Sequence, residues 1–360
     1  LVRMLSFKSL LLLFYGLVLS EATSAAFLQK KLVTPTEELV LIKEIEWPPN
    51  DSMHLWYWVP SMDVTKDCSL LALFNTKPPR VSILNARTLN LISTFGRKGK
   101  GPGELDDFFA WIGFKDDTLF VVQDHRISLF LANGRYLDMD LPAPRTATSI
   151  LAVARTTGID KDGNVYYWTG GPPSSEYLIR RKNRNSRDEF LIRSDEFDSQ
   201  GKAFDIYCGV VKSDGSIIIA LAQRPIVAKY SPTGSRAWLV DLLSEVPLLR
   251  ASYKKVKARE ILSLYSAFWV DDTYVILTFA DDEIRIGQPK IFYLFLDTRT
   301  GAVRKLTYAA QNIVRSLPDP DGFYEAQLYN PWAVAHCNGT LYVFSKNSAR
   351  VLVYRLAWHE

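Results

Sequence analysis

Residues 116–134 read DDTLFVVQDHRISLFLANG. The polar doublet Asp116-Asp117 opens onto the β-rich run 118–122. A second run, Ile127 to Leu131, ends at Asn133-Gly134. Apolar, β-branched and aromatic runs bounded by Asp, Asn and Gly read as strand, turn, strand. Arg135 to Met139 then supply a further strand. The stretch is therefore the middle of an antiparallel meander.

The same doublet-and-run pattern recurs along the chain. Cys68-Ser69 precedes LLALF, Asp162-Gly163 precedes NVYYW, and Asp214-Gly215 precedes SIIIA. Asp271-Asp272 precedes TYVIL, and Asn338-Gly339 precedes TLYVF. Asp-Gly and Asn-Gly supply the positive φ that a tight hairpin needs. Successive doublets start 46 to 67 residues apart. Several units carry a third strand ending in a second turn, as at Thr233-Gly234 and Thr300-Gly301. Units of 40–50 residues with four strands are the signature of a propeller. The expected fold is all-β: a six-bladed β-propeller of four-stranded antiparallel blades over residues 38–360.

The last unit runs out of chain after 351–356, with no room for a fourth strand. The run Glu38 to Trp47 (ELVLIKEIEW) is strand-like and otherwise unassigned. It is expected to pair onto the last blade as its outer strand, closing the ring and covering an edge. Ser244 to Leu264 reads as an inserted helix with a cap at Ser244 and Pro247 in its first turn. Residues 307–329, rich in Pro and Gly, read as a long loop.

The N-terminal residues carry a different signal. Arg3 and Lys8 precede an uncharged apolar run from Leu10 to Leu19, and Thr23 and Ala25 form a small-residue pair. This is the pattern of a secretory signal peptide over residues 1–25, followed by a linker over 26–37. The apolar run falls short of the roughly 20 residues needed to span a bilayer. A secreted or periplasmic location is expected, with no integral membrane span after cleavage.

Composition agrees with a globular β-rich chain. Of 360 residues, 48% are hydrophobic, 23% charged and 12% aromatic, which excludes a disordered or collagen-like chain. A net charge of +4 spread over this length gives no field that argues for nucleic acid.

Two local patterns resemble a known family. Residues 95–108, FGRKGKGPGELDDF, resemble the G-x-G-x-GPGE-x-x-x-F segment of bacterial six-bladed propellers related to NHL-repeat proteins. Residues 119–130 (LFVVQDHRISLF) resemble the NHL core, and 341–354 (LYVFSKNSARVLVY) repeat it with Arg350 in place of Arg126. The resemblance implies a propeller fold and export rather than a particular activity. GRKGKGPGE lacks the Lys-Ser/Thr pair entering a helix that a phosphate loop requires. It reads as a connection between blades, with Arg97, Lys98 and Lys100 as a basic rim.

No catalytic cluster stands out. The four histidines are His54, His125, His336 and His359, and no two have metal-binding spacing. Cys68 and Cys337 fall in equivalent turns of neighbouring blades. A bridge needs their Cα atoms within about 7 Å, and equivalent turns usually lie farther apart, so no disulfide is expected. Cys208 reads as a small buried residue. No metal and no cofactor are expected.

Aromatic residues enter the predicted inner strands of most blades. From these, Trp56, Trp58, Trp111, Tyr207, Trp269 and Trp332 are the candidate ligand-binding residues, with Asp205 and Asn330 adding polar specificity. Any one of them could instead pack between blades. The leading expectation is a monomeric, non-catalytic propeller that binds a protein, peptide or carbohydrate at one face. The alternative is a metal-dependent lactonase or lyase with its site in the channel, for which only Glu104, Asp205 and Asn330 offer ligands.

Overall fold

A computed structural model describes residues 34–46, 61–76, 79–105, 111–123, 126–142, 155–169, 177–181, 189–193, 206–221, 225–258, 267–280, 291–309, 331–345 and 350–358. The chain is a β-propeller. Strand β1 spans Thr36–Glu46. The first four-stranded unit holds β2 (Ser61–Val64), β3 (Leu70–Thr76), β4 (Pro79–Asn85) and β5 (Leu91–Phe95). The second holds β6 (Trp111–Lys115), β7 (Thr118–Val122), β8 (Arg126–Leu131) and β9 (Tyr136–Pro142).

The third unit holds β10 (Arg155–Ile159), β11 (Val165–Thr169), β12 (Tyr177–Arg181) and β13 (Glu189–Arg193). The fourth holds β14 (Ile206–Val210), β15 (Ile217–Leu221), β16 (Ile226–Tyr230) and β17 (Arg236–Asp241). After two helices come β18 (Ala267–Val270), β19 (Tyr274–Ala280), β20 (Ile291–Asp297) and β21 (Val303–Ala309). The chain closes with β22 (Pro331–Cys337), β23 (Thr340–Ser345) and β24 (Arg350–Leu356).

Among the described residues the hydrogen-bonded sheets number five, which corrects the expectation of six separate blades. Four are four-stranded antiparallel meanders. The fifth has eight strands in the order β18-β19-β20-β21-β1-β24-β23-β22. The reason is β1. It pairs antiparallel with β24, from Leu39 opposite Leu356 to Glu46 opposite Arg350. Its first residues also pair parallel with β21, Thr36 opposite Thr307. One strand thus completes the last meander and fuses it to the one before. The first strands of the meanders adjoin in turn, β2 to β6, β6 to β10, β10 to β14, β14 to β18, β18 to β22 and β22 back to β2. They surround the ring axis.

All six doublets join the first and second strands of a meander, so those turns share one end of the ring, here the turn face. Cys68, Asp116 and Asn338 adopt positive φ there without being glycine. Asp271 instead uses its carboxylate, accepting from the N–H groups of Thr273 and Tyr274.

The core lies between meanders. Leu71, Leu73 and Leu84 pack on Ala335, Phe344 and Val351, joining the first unit to the last. Phe74, Val81 and Ile83 pack on Ile112, Leu119 and Val121 of the second. Helices α1 (Leu242–Glu245) and α2 (Pro247–Ala258) occupy the inserted stretch. The cap of α1 is Asp241, whose side chain accepts from Leu243 N–H, rather than Ser244. Leu242, Val246 and Leu249 anchor the pair on the core between the fourth and fifth units.

Candidate functional site: the ring axis and its seam

The inner strands carry the polar groups nearest the axis. In β2, Ser61 Oγ accepts from Ile112 N–H at 3.1 Å and Asp63 Oδ2 accepts from Phe114 N–H at 2.6 Å. These bonds tie β2 to β6 where β6 has no ladder partner on that side. Asp63 is fully buried. Its charge is met by Lys212, just beyond β14, whose Nζ lies 3.1 and 2.8 Å from the two carboxylate oxygens. β2 and β14 are three inner strands apart around the ring, so this pair bridges opposite sides. Lys212 Nζ also stands 5.9 Å from the Trp269 ring centroid. The ammonium remains partly exposed, and Trp269 is half-buried. The buried Trp269 Nε1 has no hydrogen-bond partner among the described residues.

The structure separates the expected aromatic residues. Trp269 lies beside Lys212 toward the turn face. Trp111 begins β6 at the opposite end, and its ring lies over Gly113, where a Cβ would fall 2.0 Å from it. It packs on the core between the second and third units. Tyr207 packs with Phe268, centroids 6.0 Å apart, on the core between the fourth and fifth. Trp332 belongs to β22, but its side chain lies outside the described residues, as do Trp56, Trp58, Asp205 and Asn330 in full. Lys212 and Asp63 were missed by the sequence reading. Neither lies in a motif, and only the ring brings them together.

His336, at the end of β22, donates through Nδ1–H to Asp271 Oδ2 at 2.6 Å. Its Nε2 accepts from Gly339 N–H. With both nitrogens engaged, the imidazole clips two neighbouring turns together and offers no free base.

The seam between the first and last units corrects another expectation. Cys68 and Cys337 form a disulfide, with Cα atoms 5.8 Å apart. The inner ends of these two meanders draw close because β2 and β22 adjoin, and the bridge lies where their turns meet. Cys208, in β14, is half-buried and takes no part in the disulfide.

The glycine-rich segment is structural. The Arg126 guanidinium donates to the carbonyls of Gly99, Lys100, Gly101 and Glu104. Glu104 in turn accepts from Gly101 N–H at 2.7 Å and pairs with Arg97 at 2.9 Å. The Gly101 N–H bond and the Arg97 charge hold its carboxyl below the ordinary range. Gly103, at φ +69°, has the Tyr136 ring 3.0 Å from where a Cβ would stand. Glu104 is therefore committed to the loop. Among the described residues no three His, Cys, Asp or Glu side chains group to hold a metal ion.

No family model matches the chain, and no curated protein matches it. Solved structures do. A member of the DUF4221 family from Bacteroides vulgatus superposes with a TM-score of 0.55 at 12% identity, covering 88% of this chain and 97% of that one. A protein from Bacteroides fragilis gives 0.49 at 11% identity over 90% and 98%. A Bacteroides thetaiotaomicron protein of unknown function gives 0.49 at 10% identity over 89% and 72%. The first of these likenesses shows the propeller fold. The NHL relationship suggested by residues 95–108 does not emerge from these likenesses.

Proposed function

We propose that the chain is an exported, non-catalytic propeller that binds a protein, peptide or carbohydrate at the axis of its ring. The eight-stranded sheet is read as two blades fused through β1, which makes six in all. The observation that carries the reading is the partly exposed Lys212 ammonium beside the half-buried Trp269 ring, both backed by rigid inner strands. Small polar and aromatic groups converging in a concave, rigid setting are what ligand sites are built from. The Cys68–Cys337 bond supports export, because such bonds form and persist outside the reducing cytosol.

The test is binding of the full chain to peptide and glycan arrays, repeated with Trp269→Ala and Lys212→Met. Capture of one ligand class, lost in both variants while their folding is retained, is expected. Capture that both variants leave intact would move the site away from the axis.

A further inference from the structure

Three meanders carry the same pair of positions at the end opposite the turn face. A polar residue stands at or next to the end of the second strand, and an arginine at or near the start of the third. The pairs are Asn75 with Arg80, Gln123 with Arg126, and Ser345 with Arg350. Asn75 and Arg80 are direct cross-strand partners, as are Ser345 and Arg350. Gln123 N–H donates to the Arg126 carbonyl. Directly opposed residues in an antiparallel pair project from the same face of the sheet.

Two of the three arginines are satisfied by oxygen acceptors within the chain. Arg126 takes four main-chain carbonyls, and its Nε faces Gln123 Oε1 at 3.5 Å. Arg350 takes the Glu44 carboxylate at 2.9 Å. The third differs. Arg80 is half-buried, its Nε is shielded from solvent, and no hydrogen bond or ion pair reaches its guanidinium among the described residues. Beside it, Asn75 is fully buried, and among the described residues neither its amide oxygen nor its amide nitrogen has a partner.

Leaving such groups unmade is costly, more so for a charged one. The position lies at the seam, on the face shared with Leu71 and Leu73 that packs against the last unit. A planar guanidinium matches a carboxylate in a two-pronged geometry, and the Asn75 NH2 adds a donor alongside. Asn75 Oδ1 asks for one donor from the same occupant.

We propose that Arg80 and Asn75 form a binding site for a carboxylate-bearing ligand with a hydroxyl or amide donor next to the acid, at the end of the ring opposite Lys212. This is a second site that goes beyond the binding reading, at the other end of the ring from Lys212 and Trp269. An acidic sugar and an acidic peptide both supply that group.

The experiment titrates the full chain with a galacturonic acid trimer and a Glu-rich peptide, against a galactose trimer and the matching Gln-rich peptide. One acidic probe is expected to bind and its neutral counterpart not. Arg80→Gln should weaken that binding tenfold or more, and Arg80→Lys should restore part of it. Asn75→Asp places a carboxylate beside the Arg80 guanidinium, where it competes with and repels the ligand's. It should abolish binding while leaving the melting temperature unchanged or raised. Binding of an acidic probe unaffected by Arg80→Gln overturns this site, as does failure of both acidic probes. If a neutral probe binds and is lost in Trp269→Ala, the carboxylate site fails while the binding reading stands. If no probe and no array ligand binds, both fail.

Discussion

Lys212 and Asp63 are 149 residues apart in sequence, yet the ammonium lies 2.8 Å from the carboxylate. The pair joins the fourth unit to the first across the axis. Asp63 is wholly enclosed, so removing its partner leaves a buried charge held only by Phe114 N–H. Breaking a buried pair costs about 3–5 kcal/mol. Because Lys212 is partly exposed, water replaces some of its contribution. Lys212→Met is therefore expected to cost about 2 kcal/mol in urea unfolding. Adding Asp63→Asn should recover part of that loss, a coupling that a double-mutant cycle reads directly.

The disulfide makes a second prediction. Cys68–Cys337 encloses 269 residues of sequence separation and holds the seam on the turn face, whereas β1 joins the last meander to the one before it. Replacing both cysteines with Ser is expected to cost about 2–5 kcal/mol. Thiol titration of the denatured, unreduced chain should find one free thiol, that of Cys208. Three would show that the bridge does not form.

Arg126 organises the segment 97–105. Its guanidinium satisfies four carbonyls that no side chain of another shape could reach together. Arg126→Lys keeps the charge but not the fork, and is expected to cost about 2 kcal/mol. Hydrogen exchange should show the Gly99 and Leu105 amides, which bond within this loop, losing protection first.

Asp297 should leave a signature in acid. Burial opposes its ionisation. The Arg304 side chain, 2.5 Å away, and the Thr300 and Arg299 N–H groups outweigh that and hold its pKa at about 2, below the ordinary 3.8. A carboxyl depressed in the folded state stabilises it above the unfolded pKa, and that stability is lost as pH falls through the folded one. Melting temperature should therefore drop between about pH 4 and pH 2. Asp297→Asn should flatten that drop and lower the value at pH 7.

The turn doublets and the runs after them were legible because hairpins are local. A residue's φ, an Asx turn or an alternation of apolar side chains is set within a few residues. The pairing of β1 on the last meander was legible too, since an unassigned strand and an incomplete unit imply each other. The parallel contact of β1 with β21 was not, because two register partners leave no mark on composition. Of the candidate site, Trp269 packs on two cores and also meets the Lys212 ammonium, whereas Trp111 and Tyr207 pack only on cores between units. An aromatic entering an inner strand looks the same in either role. Its direction depends on the neighbouring sheet.

The chain by itself determined that short antiparallel strands would repeat, where their turns would fall, and that its N-terminal strand had to close the last unit. Tertiary structure alone decided that Cys68 would meet Cys337, that Lys212 would cross to Asp63, and that Asn75 and Arg80 would stay unmatched while Arg126 and Arg350 found partners. The first two contacts join residues 269 and 149 positions apart in sequence. They depend on the angle and distance between sheets, which closure of the ring sets and no local pattern records.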